Sequence, residues 1–497
     1  MNQITASMLY NFVACPHRVS MDLFGDPTKR DEVSPFVQLL WDRGFSHEKA
    51  VIGALAIPFV DLSSFGGDDK ERLTLEAMSR GEPLIYSGRI SANGLLGIPD
   101  LLRKEDGGYI AGDIKSGSGE EGSSDEEDGK PKVHYGVQVA LYTDILEQIG
   151  HSAGRRAFIW DVQGKEVPYD LAAPYGVRKP RTLWQDYNAC LAEVRAIISG
   201  AGKTEPAYSS GVCKNCVWYT ACIEDLEKAN DLTLVPFLGR SMRSSLHDHI
   251  ANMQELAEID PEGFLTDKGK KTIFGGIGPD TLRKMQARAK LITTKDARPY
   301  LRATVSLPVS ERELFFDIET DPMRDVCYLH GFVERIGGNN KSEKFVAFFA
   351  ARPTPEDEER AFAQAWEYMK ASIPCTIYYY SKYERTIYRK LRAKYPKVCT
   401  EAEIEALFEP AHAIDLYYDV VFKATEWPTR DFSIKTLAKY LGFEWRDAHP
   451  SGAASIEWFN RWVETGDATI RQRILDYNED DCRATRVLLD GIRAMAA

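Results

Sequence analysis

The order of apolar and polar residues predicts a strand pair in the first quarter of the chain. Residues 95–102 are apolar on both sides of Pro99-Asp100, residues 103–108 have the composition of a turn, and residues 109–113 return to strand-forming side chains. Elsewhere the apolar spacing predicts helices over 37–55, 137–146, 182–199 and 246–256, and a strand over 156–162. We therefore expect strands and helices mixed along the chain.

The predicted strand pair carries two carboxylates and a lysine, Asp100, Asp113 and Lys115. Two ionised Asp side chains in an apolar β environment are costly unless they bind something, and Mg²⁺ or Mn²⁺ suits such hard oxygen ligands. Lys115 follows Asp113 by two residues, so it shares its face of the strand and could orient a water or offset charge on a phosphate. The pattern indicates metal-dependent phosphodiester hydrolysis, and an ordinary Asp–Lys pair on an exposed hairpin is the alternative.

A second set of carboxylates lies in the last third of the chain. The stretch 312–316, which is apolar from Leu314 onward, runs into Asp317 and Glu319, whose side chains share a face because they are two residues apart on a predicted strand. Residues 326–333 and 344–349 predict the next two strands of a meander, 356–372 a helix and 376–380 a strand. A later helical stretch carries Tyr477 and Asp481, four residues apart on one face.

Nine cysteines in a chain without an apparent signal peptide argue for metal binding or free thiols, and we expect a cytoplasmic protein. Cys213, Cys216 and Cys222 form a compact C-x2-C-x5-C cluster, and three soft ligands require a fourth. Cys15, in a Cys-Pro-x-Arg setting, is the candidate. The residues leave open a zinc site and an iron–sulfur cluster. No apolar run is long enough to span a bilayer, so we expect no membrane partner.

The net charge of −12 argues at first against nucleic acid, but phosphate contacts need only a local basic surface. Much of the acid lies in residues 118–128, which predict a disordered loop. A basic surface is expected from a Gly-Ile-Gly-Pro hairpin and the cations after it, comprising Gly276, Gly278, Arg283 and Lys284. Glycine N–H groups at a helix N-terminus can bind phosphate, although a capping turn before a basic linker is the alternative.

Together with Gly44-Phe-Ser-His47-Glu48 and Gln138-x-x-x-Tyr142, the strand pair resembles the RecB-family nucleases of the PD-(D/E)-x-K superfamily, the CRISPR-associated RecB-like exonucleases in particular. The resemblance implies a restriction-endonuclease-like fold in which Lys115 is catalytic. It implies that Gln138 and Tyr142 lie along the nucleic acid. It also implies a metal held by His47, Asp100, Asp113 and the Ile114 carbonyl.

The pairing of an early cysteine with the late cluster resembles the iron–sulfur members of that group. This resemblance implies a [4Fe–4S] cluster on Cys15, Cys213, Cys216 and Cys222, and we favour it over Zn²⁺. The Gly276–Gly278 hairpin, expected between two helices, resembles a helix–hairpin–helix motif.

The C-terminal set resembles the DEDD exonucleases of the RNase H-like superfamily, in the subclass that carries a tyrosine. The resemblance implies two metal ions on Asp317, Glu319 and Asp481, with Tyr477 orienting the attacking water. The chain departs from that family at Ser381-Lys-Tyr383-Glu384, where the family has Asn-x-x-Phe-Asp. Either Glu384 or Asp415 could supply the fourth carboxylate.

We therefore expect an α/β multidomain protein: a PD-(D/E)XK domain over 1–230, a small helical linker with the helix–hairpin–helix over 231–307, and an RNase H-like α/β domain over 308–497. The expected function is a metal-dependent nuclease, an exonuclease that prefers DNA to RNA and prefers single strands or ends. The alternatives are a nucleic-acid-binding adaptor in DNA repair or phage defence with silent sites, or the same chemistry on RNA. No G-x-x-x-x-G-K-[ST] motif is present, so any helicase or ATPase would be a separate protein.

Overall fold

The computed structural model describes residues 3–121, 129–176, 179–448 and 450–496. The chain forms two compact units, one made of Met1–Pro206 and Gly211–Ile223, the other of Ala207–Ser210 and Glu224–Ala497. Within the described ranges, no helix has both the length and the apolar character needed to cross a membrane. Helices α7 (Ser210–Cys213) and α8 (Tyr219–Ala229) include the residues at which the two units divide.

The first unit is mixed α/β. Its helices are α1 (Ala6–Ala14), α2 (Pro16–Phe24), α3 (Pro35–Ala54), α4 (Gly67–Arg80), α5 (Val133–Gln148) and α6 (Leu183–Ile198), with a 3-10 turn over Pro27–Lys29. Its strands are β1 (Ile4–Thr5), β2 (Val60–Asp61), β3 (Leu84–Tyr86), β4 (Ile90–Ala92), β5 (Leu95–Gly97), β6 (Leu101–Glu105), β7 (Gly108–Ile114), β8 (Glu120–Glu121), β9 (Lys130–Pro131), β10 (Ser152–Trp160), β11 (Glu166–Asp170), β12 (Pro174–Tyr175) and β13 (Arg181–Thr182).

The main sheet of the first unit has six strands in the order β11-β10-β7-β6-β3-β2. The predicted strand pair is confirmed as the antiparallel hairpin β6–β7, in which Leu101 pairs with Gly112. β7 pairs on its other side with β10 in parallel, so it is a central strand, and six of its seven residues are buried. The acidic tract was expected to be a loop, and its residues 122–128 lie outside the described ranges; β8 and β9 pair on either side of them.

Helix α5 is apolar on nearly all sides and is accordingly buried, as expected for a helix without a polar face. Its side chains Val137, Leu141 and Ile145 belong to the same core as β7 and β10. Helix α6 begins at a capping box, in which Thr182 and Gln185 exchange hydrogen bonds with each other's backbone N–H groups. The helices predicted over 37–55, 137–146 and 182–199 are therefore confirmed, as is the strand predicted over 156–162, seen as β10.

The second unit contains the remaining elements. Its helices are α9 (Arg240–Leu246), α10 (Met253–Glu258), α11 (Pro279–Thr293), α12 (Pro355–Ser372), α13 (Tyr383–Lys394), α14 (Glu401–Leu407), α15 (Phe422–Ala424), α16 (Ile434–Tyr440), α17 (Gly452–Thr465) and α18 (Ala468–Ala496), with 3-10 turns over Leu232–Leu234 and Pro261–Phe264 and a π-helical turn over Leu416–Val421. Its strands are β14 (Leu265–Thr266), β15 (Lys271–Thr272), β16 (Tyr300–Leu301), β17 (Arg312–Asp321), β18 (Val326–Ile336), β19 (Asn339–Phe349), β20 (Thr376–Tyr379), β21 (Ala413–Asp415) and β22 (Thr425–Glu426).

The main sheet of the second unit has five strands in the order β19-β18-β17-β20-β21. The meander β17–β18–β19 is antiparallel, and β20 and β21 continue the sheet in parallel. β17 is central, which explains why its residues Leu314, Phe315 and Phe316 form an unbroken apolar run with both faces buried. The predicted meander, the helix over 356–372 and the strand over 376–380 are confirmed.

The segment between α8 and the five-stranded sheet differs from its predicted secondary structure. The single helix expected over 246–256 is wrong, because α9 ends at Leu246 and α10 begins only at Met253. Asn252 caps α10, its side chain accepting from Glu255 N–H, and a residue in this extended conformation starts a helix but cannot lie inside one. The pair β14–β15, and not a helix, precedes the glycine hairpin.

Candidate active sites

The hairpin β6–β7 brings the first set of predicted residues together. Asp100 lies directly before β6 and Asp113 lies near the end of β7, with Lys115 just past it. The Asp100 carboxylate accepts the Ile114 N–H at 2.7 Å, and the Lys115 Nζ donates to Asp113 Oδ2 at 2.8 Å. Asp100 N–H also points to Asp113 Oδ1 at 3.4 Å. Two carboxylates and one ammonium group therefore share one small site beside the start of β6 and the end of β7.

The charged groups in this site shift each other's pKa values. Burial raises the pKa of Asp100 well above its usual value, and the Asp113 carboxylate raises it further, while Lys115 opposes the rise. Burial alone would lower the pKa of Lys115, but Asp113 and Asp100 outweigh it and the net shift is upward. The lysine is therefore held as an ammonium ion, and Asp100 lacks enough positive charge around it. A bound cation would correct that deficit.

Glu48 on α3 is a third carboxylate of this site, and its role was not predicted from the sequence. Its Oε1 accepts from the Tyr86 hydroxyl at 2.9 Å, and its charge adds to the upward pKa shift of Asp100. Its neighbour His47, the predicted ligand, lies with Nε2 3.1 Å from the Asp161 carbonyl. The role of His47 stays a prediction. The only sequence signal for Glu48 in this site was its position directly after His47 on the predicted helix.

Helix α5 supplies the two residues that were expected along the nucleic acid. Gln138 and Tyr142 are four residues apart on α5; burial raises the pKa of Tyr142 well above its usual value, and Gln138 opposes that rise. Tyr142 is buried beneath the loop before Asp100: its hydroxyl lies 3.5 Å from the Ile98 carbonyl, and a Cβ at Gly97 would be 2.6 Å from its ring. The structure thus places Tyr142 behind the carboxylates, and the predicted contact of both residues with nucleic acid stays a prediction.

The cysteine segments lie in the same unit. Cys15 separates α1 from α2, and Cys213 to Cys222 lie around the end of α7 and the start of α8. The two regions pack together, since Trp218 Nε1 donates to Asp22 at 2.7 Å and the Asp31 N–H donates to the Val217 carbonyl. Burial raises the pKa of Cys216, and the Cys15 thiol adds to that rise. The segment that carries Cys15 therefore packs against the segment that carries Cys216.

The second predicted set forms a compact group of carboxylates. Asp317 and Glu319 on β17 and Asp481 on α18 each present an oxygen such that all three lie within 4.8 Å of one another. Over the described parts of the chain, this is the only such group of three His, Cys, Asp or Glu ligands. Burial and the neighbouring carboxylates raise the pKa of Asp317 well above its usual value and that of Glu319 to about 8.

Neutral side chains hold these carboxylates in place. Asn478 Nδ2 donates to Asp317 Oδ2 at 2.7 Å, and Trp445 Nε1 donates to Asp481 Oδ1 at 2.7 Å. The close approach of Asn478 to β18 requires glycine at Gly331, where a Cβ would lie 1.6 Å from Asn478 Oδ1. Asn478 directly follows Tyr477, and that adjacency was the only sign of it in the sequence.

A lysine also enters this site, and no sequence signal pointed to it. Lys435 on α16 donates from Nζ to the Tyr477 hydroxyl at 2.8 Å and lies 3.4 Å from each oxygen of Asp481. Burial raises the pKa of Tyr477 well above its usual value, so its hydroxyl keeps its proton at neutral pH. Tyr477 is thus held between a cation and the carboxylates, where it could orient a water.

The two candidates for a fourth carboxylate have different surroundings. Asp415 accepts backbone N–H groups from Ser381, Tyr417 and Tyr418 at 3.0 to 3.1 Å, which makes it the cap of the following turn. Glu384 is 4% exposed, its Oε2 has no hydrogen-bond partner among the described residues, and burial raises its pKa to about 8. Its charge adds to the pKa shift of Asp317, although it lies outside the compact group of three.

The glycine hairpin lies between β15 and α11. Gly276 adopts φ +78°, a conformation that favours glycine, and Gly278 is the N-cap of α11 without a side-chain cap. Arg283 is engaged by Glu262 at 2.7 Å and by Asp280 at 2.9 Å. The predicted nucleic-acid contacts of these residues and of Lys284 stay predictions.

The carboxylate groups of both sites fit hard divalent cations, because buried oxygens with upward-shifted pKa values gain most from a nearby positive charge. Asp100 and Asp113 would hold one at the first site, and Asp317, Glu319 and Asp481 at the second. A bound Mg²⁺ or Mn²⁺ would supply a hydroxide nucleophile and stabilise developing charge on a phosphoryl group. Lys115 and Tyr477 are placed beside these ligands.

Two family models match the chain. Residues 31–223 match the PD-(D/E)XK nuclease superfamily, and residues 314–492 match the RNase_H superfamily. No curated protein matches the chain. The chain therefore combines two nuclease-superfamily domains in a mixed α/β protein, and this combination supports a hydrolytic nuclease. Nucleases of these superfamilies usually use Mg²⁺ or Mn²⁺, which agrees with the acidic group on β17 and α18.

Proposed function

We propose that the protein is a metal-dependent exonuclease that hydrolyses phosphodiester bonds of DNA, prefers single strands or ends, and has two working active sites. The first uses Lys115 as its catalytic cation beside Asp100 and Asp113. The second uses Tyr477 beside Asp317, Glu319 and Asp481. Mg²⁺ or Mn²⁺ serves both, and the protein works in the cytoplasm, where any helicase or ATPase that opens a duplex is a separate partner.

One observation carries this proposal: the Lys115 ammonium group lies 2.8 Å from Asp113 while Asp100 and Asp113 lie side by side. A lysine bound to a carboxylate that could also hold a metal can reach a phosphate oxygen or an attacking water at that metal. Removing one such electrostatic contact typically costs about 10²–10³ in rate.

We further propose that Cys15, Cys213, Cys216 and Cys222 hold a [4Fe–4S] cluster that joins the two ends of the N-terminal domain, as in the CRISPR-associated RecB-like nucleases that the segment resembles. Support comes from the effect of Cys15 on the pKa of Cys216 and from the packing of Trp218 on Asp22. Cluster ligation contributes to folding. Cys216→Ser is therefore expected to lose iron and lower the melting temperature. Unchanged iron content and stability would reject the cluster, and zinc in place of iron would identify the alternative.

The glycine hairpin between β15 and α11, part of a linker domain over 231–307, is proposed to bind the phosphate backbone. The support is the uncapped N-terminus of α11 at Gly278 and the left-handed Gly276. A contact of this kind carries no base specificity. Lys284→Ala should weaken binding to all DNA sequences alike, and a sequence-dependent loss would contradict the element.

The deciding experiment is a matched nuclease assay. Wild type, Lys115→Ala, Asp317→Ala and the double variant are purified without oxygen and incubated with end-labelled single- and double-stranded DNA and RNA in Mg²⁺ or Mn²⁺. Cleavage lost in one single variant assigns the active site, and the position of the label gives the polarity. Loss only in the double variant indicates two working sites. Tight binding without cleavage by the wild type would reject the nuclease in favour of a binding adaptor.

A further inference from the structure

Three aromatic rings lie together between the start of α5 and the side of α1. The ring centroids of His134 and Tyr135 are 4.5 Å apart, and that of Tyr10 is 5.0 Å from His134 and 6.3 Å from Tyr135. Tyr10 and Tyr135 are near parallel, with 26° between their planes, whereas His134 is edge-on to Tyr10. We call these residues the aromatic cluster.

The aromatic cluster adjoins the first candidate active site. The Lys115 Nζ lies 5.6 Å from the centroid of the Tyr135 ring, and the Lys132 Nζ lies 5.2 Å from it. Lys115 in turn contacts Asp113. A phosphate bound near Lys115 would therefore have two cations and an aromatic surface close by, which is the combination that binds single-stranded nucleic acids.

The exposure of the three rings in the aromatic cluster increases from Tyr135 to His134 to Tyr10. Tyr135 is 9% exposed, His134 is half-buried, and Tyr10 is 37% exposed. Burial lowers the pKa of His134, with Lys132 adding to the effect, so its imidazole is neutral at pH 7. The two outer rings are thus partly open to solvent, while Tyr135 packs against them from the interior side.

We propose that Tyr10 and His134, supported by Tyr135, form a nucleobase-stacking subsite of the N-terminal site, which holds the base of the nucleotide next to the phosphate at Lys115. The inference rests on the proposed function and extends it. Every base has a π-face, so such a subsite accepts any sequence. Bases in a duplex are already stacked and paired, so the subsite selects single strands or frayed ends.

The test uses a background in which cleavage cannot occur, Lys115→Ala/Asp317→Ala. Dissociation constants are measured for a single-stranded DNA oligonucleotide and for a series in which one position at a time is abasic. Each is measured with Tyr10 intact, with Tyr10→Ala, and with Tyr10→Phe, which keeps the ring and serves as the matched control. Circular dichroism verifies that all variants fold.

The expected result is that Tyr10→Ala weakens binding of the intact strand by roughly tenfold, the size of one base–aromatic stack, whereas Tyr10→Phe does not. At one position of the strand, the abasic site should raise the dissociation constant by the same factor when Tyr10 is intact. The same abasic site should cause no further rise in the dissociation constant of Tyr10→Ala. Non-additivity at a single position would locate the stacked base. Equal costs at every position in both proteins would overturn the subsite.

A second measurement covers the case in which Tyr10→Ala does not fold. A fluorescent base analogue, 2-aminopurine, is placed at each position of the strand and bound to the background protein with Tyr10 intact. Strong quenching at one position supports the subsite, and no position-specific quenching overturns it. If the background protein binds no strand and the wild type cleaves none, the proposed nuclease itself fails together with the subsite. Binding without coupling to Tyr10 rejects the subsite alone.

Discussion

The two candidate active sites differ in how far apart along the chain their residues lie. In the first site, Asp100, Asp113 and Lys115 come from one hairpin, and the register of β6 and β7 alone brings them together. In the second, Asp317 and Glu319 on β17 meet Asp481 on α18, after most of the domain has intervened. The first site is a product of local pairing, and the second exists only after the helices have packed on the sheet.

The lysines of the two sites also differ in how close along the chain their partners lie. Lys115 contacts Asp113, two residues before it in sequence, at 2.8 Å. Lys435 contacts Tyr477 and Asp481 from α16, a separate helix. A local motif such as Asp113 with Lys115 can therefore be found by spacing, whereas a cation that reaches its site through tertiary packing, such as Lys435, leaves no trace in the sequence.

The largest effect is expected from Asp317→Ala in a Lys115→Ala background. Asp317 belongs to the only compact ligand group of three found among the described residues, and its loss should remove any metal from the second site. Residual cleavage should fall by about 10³-fold or more, as for loss of a principal electrostatic group. Single-turnover cleavage of labelled DNA measures it. Undiminished cleavage would show that the C-terminal domain is not the source.

Lys115→Ala alone is expected to lower the rate at the first site by about 10²–10³-fold. The ammonium group should act mainly on the reacting phosphate, so kcat should fall more than KM rises. Asp317→Ala serves as the background that isolates this site. Lys115→Arg is the matched control, because it keeps the charge but not the compact geometry. A change confined to KM would instead make Lys115 a binding residue.

Lys435→Met should lower the rate at the second site by about 10–100-fold, the usual cost of losing a residue that orients the ligands of a metal. Its Nζ holds the Tyr477 hydroxyl at 2.8 Å, so the same loss should follow Tyr477→Phe. The two substitutions together should cost little more than either, if they act as one unit. Fully additive losses would separate the lysine from the tyrosine.

The smallest effects should distinguish Glu384 from Asp415. Asp415→Ala removes an acceptor for three backbone N–H groups and should lower the free energy of unfolding by about 1–2 kcal/mol without changing the Mg²⁺ requirement.

Glu384→Gln should leave the melting temperature unchanged and raise the half-saturating Mg²⁺ concentration roughly tenfold. Thermal unfolding and metal titration of cleavage measure the two. A reversed pattern would make Asp415 the metal-binding residue.

Much of the fold followed from the sequence where the apolar pattern was long and regular. The hairpin at Asp100, the meander after Asp317 and the helix carrying Tyr477 were all predicted. The break between α9 and α10 was missed, because the apolar residues on both sides continue a helical spacing while Asn252 acts as a cap. Periodicity describes which side chains are apolar, and it does not show where a side chain takes over a backbone hydrogen bond.

Residues whose partners are close along the chain could be recognised from the amino-acid sequence: the carboxylates and lysine of the first hairpin, Asp-x-Glu on one strand, and Tyr477 with Asp481 on one helix. Three relationships became visible only in the folded protein: Glu48 acts on the pKa of Asp100, Lys435 reaches Tyr477, and Asp415 is a cap while the buried Glu384 acts on the pKa of Asp317. The physical reason is that spacing fixes which residues share a face of one strand or helix, whereas contacts between elements depend on how their faces pack.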